Sequence, residues 1–147
     1  MSAIVSQVEV DAPQTQVFDY VTDPTRFSEW QANVTSGRMD DPKGTAVGSR
    51  CATTRRIGGR ERDVTAEVTK YSPPSAWGVR GIDGPIRSVV DVTVEPLGDA
   101  ERSRVTISID FTGHGIGKVL VPLLVKPQAR EEMRRNMARL KERLESA

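Results

Sequence analysis

The sequence is poor in the side chains that most often carry covalent or metal chemistry. It holds one cysteine, Cys51, and one histidine, His114. A single cysteine excludes an internal disulfide framework and any multi-cysteine metal site. The carboxylates are scattered at no recognised ligand spacing, so neither a metal nor another cofactor is expected. Aromatic residues are few as well: two tryptophans, two tyrosines and three phenylalanines. Charge of one sign is not in excess, with 21 Lys and Arg against 20 Asp and Glu. Nucleic-acid binders draw most of their affinity from phosphate contacts, so this balance argues against such a partner. The densest apolar run, Val119 to Val125, falls far short of the roughly 18 residues of a membrane span. No integral membrane association is expected. The N-terminus lacks the basic and long apolar stretches of a signal peptide, and with the lone thiol this points to the cytoplasm. Gly113 to Gly117 has neither the Lys-Ser/Thr of a P-loop nor a dinucleotide fingerprint.

What is present fits one domain spanning residues 1–147, a length at which a core forms without staples. Ile4, Ser6, Val8 and Val10 alternate with Val5, Gln7 and Glu9, the period of a strand. Asp11-Ala-Pro-Gln14 reads as a helix start with a capping Asp, and Val17, Phe18 and Val21 give that helix an apolar side. Asp23-Pro24 opens a second short helix ending near Phe27 and Trp30. From about residue 34 to 112 the signal is strand. Val47–Ile57 and Arg60–Tyr71 flank Gly58-Gly59, a two-residue hairpin signature. Further strands carry Trp77 and Val79, then Ile86 to Val94, then Val105 to Phe111, and the total expected is seven. Met133, Met137, Leu140 and Leu144 then mark one face of a last helix running from Pro127. At about 1.5 Å per residue it is about 30 Å long. Pro122 and Pro127 leave two possibilities before it, a kink or a separate short helix.

Several strings in this order resemble a known family. Ala12 to Trp30 (APQTQVFDYVTDPTRFSEW), Val47-Gly48-Ser49, Val68 to Pro74 (VTKYSPP) and Leu140 to Glu145 (LKERLE) are similar to the polyketide cyclase/dehydrase and lipid-transport superfamily, SRPBCC. The resemblance implies the α+β helix-grip fold of START domains and the birch-pollen allergen. In that fold a curved seven-stranded antiparallel sheet wraps a long C-terminal helix, with two short helices between the first two strands. It also implies a cavity for lipids, polyketides, hormones or other hydrophobic molecules. Fold alone does not choose an activity. The leading reading is binding or carriage of a small hydrophobic organic molecule by a monomer or homodimer. An enzyme is the alternative, a cyclase/dehydratase-like lyase or isomerase without metal, in which positioning in a dry pocket supplies much of the rate. A protein-partner or stress-response module is the third.

The Gly-Gly hairpin fixes a register. Ile57 faces Arg60, Arg56 faces Glu61, Arg55 faces Arg62, Thr53 faces Val64, Cys51 faces Ala66 and Ser49 faces Val68. Arg50–Glu67 and Arg56–Glu61 mark the solvent face. Ser49, Cys51, Thr53, Val64, Ala66 and Val68 mark the ligand face. Arg55 and Arg62 lie on that same face near the hairpin tip, where like charges must splay into water or share an anion. The resemblance implies that this tip gathers at the cavity mouth with His114, and Arg80 or Arg87, a ring that would favour a ligand bearing a carboxylate or phenolate. The plainer reading leaves both arginines solvated.

The other expected ligand-binding residues are Trp30, Trp77 and Val79, then Val90, Val92, Ile107, Ile109 and Phe111 on later strands, and Met133 and Met137 on the last helix. Trp77 either stacks on a ligand or simply packs. The two methionines cover the sheet, or their pliant thioethers suit several ligand shapes. Cys51 reads as a small buried hydrophobe rather than an activated thiol. No catalytic residue is expected. His114, a weak acid/base candidate, sits between two glycines without a spaced carboxylate, the setting of an incidental loop histidine. The charges of the last helix, among them Glu131 and Arg135, read as a solvated face, with weak attraction to anionic headgroups as the alternative.

Overall fold

The computed structural model describes residues 3–40, 45–57, 59–83, 86–113 and 126–146. Strand β1 (Ile4–Val10) realises its period-two pattern, with Ile4 and Val10 buried and Val5, Gln7 and Glu9 exposed. Helix α1 (Gln14–Val21) follows and buries Val17, Phe18 and Val21. Asp11 does not cap it. Pro13 holds the cap position without a side-chain bond, because the Asp11 carboxylate instead accepts from Arg102 Nε at 2.8 Å. Asp23 does cap its turn: its Oδ1 accepts from Thr25 N at 3.0 Å and from Thr25 Oγ1 at 2.7 Å. That starts a 3-10 turn, Pro24–Arg26, which runs directly into α2 (Phe27–Trp30).

The remaining strands are β2 (Val34–Met39), β3 (Arg50–Ile57), β4 (Arg60–Ser72), β5 (Ala76–Gly81), β6 (Ile86–Leu97) and β7 (Arg102–Gly113). They form one antiparallel sheet in the order β1-β7-β6-β5-β4-β3-β2. The first strand thus pairs with the last, and the sheet curves into a half-barrel. β3 begins three residues later than Val47, because Gly48 takes a φ of +92° and Val47 turns out to solvent. The β3–β4 register is the one the hairpin dictates, including Cys51↔Ala66, Thr53↔Val64 and Arg55↔Arg62. Bulges fall elsewhere, between Val34 and Ser36 and between Val68 and Lys70, so nothing shifts the pairing near the turn.

Helix α3 (Lys126–Glu145) is 20 residues long, about 30 Å. Pro127 stands in its first turn, where a missing N–H costs nothing. Pro122 and His114 lie outside the described residues. Met133, Met137, Leu140 and Leu144 are all buried as the spacing requires, and full burial of a leucine stabilises by about 1.5–3 kcal/mol. The C-terminal half of α3 is tied down onto β1. Lys141 Nζ donates to the Glu9 carbonyl at 2.8 Å, and Asp11 N donates to Glu145 Oε2 at 2.9 Å. These contacts are exposed and individually weak, and they tie the end of the helix to the sheet edge. Its N-terminal half stands over the concave face of the sheet, and a cavity lies between them.

The convex face is solvated. Arg80–Glu67 at 3.5 Å is an ion pair between neighbouring strands, and Lys70–Asp91 at 3.6 Å spans from β4 to β6 over Gly78 of β5. Arg56–Glu61, at 3.9 Å, is the cross-strand pair expected from the hairpin. Glu67 stands opposite Arg50 on the ladder but forms its ion pair with Arg80.

Candidate functional site

The cavity measures about 230 Å³ and is walled by α1, α2, β3 to β7 and the first half of α3. Most of the wall is apolar. Alternation along the strands sends Val79, Val90, Val92, Ile107, Ile109 and Phe111 into it. Phe27 stands edge-on to both tryptophans, 6.0 Å from Trp30 at 82° and 6.1 Å from Trp77 at 74°. These T-shaped contacts lock the indoles into the wall, so Trp77 both packs and lines the cavity. Trp30 Nε1 is buried without a hydrogen-bond partner among the described residues.

The polar groups gather at one end. Gln31 and Asn33 follow α2, Arg55 and Arg56 approach the β3–β4 turn, and Gln128, Glu132 and Asn136 form a stripe on α3. They are joined to one another. Arg55 NH1 donates to Gln31 Oε1 at 3.1 Å, and Arg56 N donates to the Asn33 carbonyl at 2.7 Å. Ala32 N donates to Asn136 Oδ1 at 3.2 Å, and Gln128 Nε2 to Glu132 Oε1 at 3.1 Å.

Arg55 is the unusual member. Its Nε also donates to Thr53 Oγ1 at 3.0 Å, so both described acceptors are neutral. Among the described residues it has no ion pair. Burial pulls its pKa below the ordinary guanidinium value, opposed by the negative charge of Glu132. Glu132 faces it across the cavity from α3. Cys51 also lines the wall, as a thiol whose pKa burial pushes up, which leaves it an inert small hydrophobe.

Of the residues singled out from sequence, Trp30, Cys51, Thr53, Arg55, Val64, Ala66, Trp77, Val79, Val90, Val92, Ile107, Ile109, Phe111 and Met133 line the cavity. Ser49, Arg62, Val68 and Met137 do not, and Val68 is instead fully buried in the core. Ser49 Oγ is turned to the loop before β3, accepting from Ala46 N at 3.1 Å. Met137 is buried one turn beyond the cavity, in the packed half of α3. Arg62 is exposed at the hairpin, and Arg80 belongs to the convex face through Glu67. Arg87 alternates with Ser88 and Val90, which line the cavity, and so projects from the other face of β6. His114 is outside the described residues. The sequence reading missed Gln31, Asn33 and the Gln128–Glu132–Asn136 stripe. Its spacing of four was visible one residue before the methionine stripe, but polar residues at helical spacing look the same on a solvated face.

Comparison with known proteins places this architecture. The family model for polyketide cyclase / dehydrase and lipid transport matches residues 1–145. No protein of curated function matches the chain. Among solved structures, TTHA0849 from Thermus thermophilus superposes with a TM-score of 0.77 at 16% identity, covering 97% of this chain and 96% of that one. A START superfamily protein from Mycobacterium smegmatis gives 0.75 at 16% identity, covering 99% of both chains. The di-domain ARO/CYC BexL from the BE-7585A biosynthetic pathway gives 0.70 at 17%, covering 97% of this chain and 46% of that one. At such identities the superpositions speak for the helix-grip fold, and the family match speaks for membership: this chain belongs to the polyketide cyclase/dehydrase and lipid transport family.

Proposed function

We propose that this protein binds or carries a small hydrophobic molecule with one acidic head group, held between the sheet and α3. The observation that carries the reading is a mostly apolar cavity with a partly buried guanidinium, Arg55, at its polar end. An apolar body gains by leaving water for such walls. Described residues use two of the five N–H donors of Arg55, which supports a charge-assisted bond to an incoming carboxylate or phenolate. The volume supports a small ligand, since pockets for drug-sized molecules begin near about 300 Å³. The family description itself names lipid transport.

Both tryptophans line the cavity, so their fluorescence is a direct probe. Titration with octanoate and with octanol should give saturable changes, with the acid bound about tenfold more tightly. Equal affinities would remove the acidic head from the reading. No saturation by either would remove the cavity as a binding site.

A second reading is a metal-free cyclase or dehydratase, favoured by the placement of Arg55, where a guanidinium would polarise a carbonyl held in a dry site. The similarity to BexL, an ARO/CYC protein, adds to it. Turnover of polyketide-like chains that Arg55→Gln abolishes would establish it. A partner-binding module draws less support. Among the described residues the large exposed apolar side chains are four, Val5, Val47, Tyr71 and Val89, each on a different segment of the chain. We take the protein to act in the cytoplasm as a monomer or homodimer, to be checked by cell fractionation and sedimentation. No helix among the described residues is long and apolar enough to cross a membrane.

A further inference from the structure

Two opposite charges share the polar end of the cavity without pairing. Arg55 comes from β3 and Glu132 from α3, both line the cavity, and no ion pair joins them. Arg56 also lines this end, but its guanidinium reaches out to Glu61. Glu132 is the one carboxylate among the described residues that line the cavity, and bringing a second negative charge beside it is unfavourable. One oxygen of Glu132 accepts from Gln128, and the other has no hydrogen-bond partner among the described residues. Asn136, one turn further along, holds α3 against the turn after α2 through Ala32 N. That contact holds the segment of α3 that carries Glu132 beside the end of the cavity where Arg55 lies.

Resting on the proposed function, we infer that Glu132 determines specificity: the ligand carries, beside the acidic group held by Arg55, a hydroxyl that donates to Glu132. A donor at that point turns a repulsive neighbour into a charge-assisted hydrogen bond. A neutral hydroxyl fits better than an ammonium, because the surrounding walls are mostly apolar and a further charge is costly to strip of water. The site thereby selects hydroxy acids over plain acids of the same length.

The test compares octanoate, β-hydroxyoctanoate and octanol on the wild-type chain, Glu132→Gln, Glu132→Leu and Arg55→Gln, at fixed pH by tryptophan fluorescence. Wild type should bind the hydroxy acid about tenfold more tightly than octanoate. Glu132→Leu should erase that preference while octanoate binds at least as well as before. Glu132→Gln should fall between, since an amide oxygen still accepts but without charge. Arg55→Gln should weaken both acids and leave octanol unchanged. Equal binding of the two acids by wild type, or a preference that survives Glu132→Leu, would overturn the inference while leaving the cavity reading intact. Failure of all three probes to bind wild type would overturn the cavity reading, and the inference with it.

Discussion

Arg55 and Arg62 face each other across the β3–β4 ladder, yet their side chains part company. Arg55 turns inward to Thr53 and Gln31, and Arg62 remains exposed. Two like charges directly opposite are unfavourable in a sheet, and this pair relieves the repulsion by sending one to solvent and one to the cavity. The inward one loses hydration without gaining a described counterion in contact.

Arg55→Met should therefore separate stability from binding. Replacing a poorly compensated buried charge by an apolar side chain of similar length is often neutral or stabilising by about 1–4 kcal/mol. Thermal unfolding should show an unchanged or raised midpoint, while affinity for octanoate falls about tenfold or more. A large loss of stability would mean that Arg55 is structural.

Ile107→Trp and Ala66→Trp should each fill the cavity from the sheet side. Both residues line it, on β7 and β4. Circular dichroism should report the same fold, and octanol titration should lose its saturable signal. Ile107 is almost fully buried, so that variant should cost about 1–3 kcal/mol by overpacking. Ala66 is less enclosed and should cost less.

Gly37→Ala should destabilise although Gly37 touches no ligand. A Cβ there would run into the Pro24 carbonyl, which is backbone and cannot swing aside. This close approach seats the turn that carries α2, and with it Phe27 and Trp30, on strand β2. Denaturant unfolding should show a loss of about 1–3 kcal/mol. Full retention of stability would mean the turn is free to move.

Tyr20 should make the fold sensitive to alkali. Its hydroxyl donates to Glu29 Oε1 at 3.1 Å. Burial, then that bond, raise its pKa from 10.0 to about 12. A raised pKa means that the neutral form is favoured in the folded state. Its contribution to stability is full below pH 10.0 and is lost as pH climbs through about 12. Tyr20→Phe should lower stability at neutral pH and flatten the decline over that alkaline window, as followed by urea midpoints. An identical decline in both proteins would exclude Tyr20 as its source.

The fold was legible because its signals are local. The alternation in β1, the Gly58-Gly59 turn and the methionine–leucine stripe each need only a few neighbouring residues. The register followed from the hairpin, so the turn alone assigns Cys51, Thr53, Val64 and Ala66 to one face. What stayed hidden depends on distance. Asp11 was drawn from its cap by Arg102, 91 residues away. Arg55 and Arg62 are equivalent on the ladder, and only Gln31 reaching over from α2 tells them apart. Glu132 reads as one more charge on a charged helix until α3 is laid over the sheet. Met137 shows the reverse: its spacing matches Met133, but the cavity ends before it.

Whether the cavity holds a small hydrophobic molecule can be read from native mass spectrometry of the purified chain. An added mass should appear, be released by organic extraction as an acidic apolar compound, and be absent from Ile107→Trp prepared in the same way. The stripped protein should then take up octanoate at one equivalent. A wild-type chain that carries nothing and refuses octanoate, octanol and β-hydroxyoctanoate alike would contradict the binding function proposed for it.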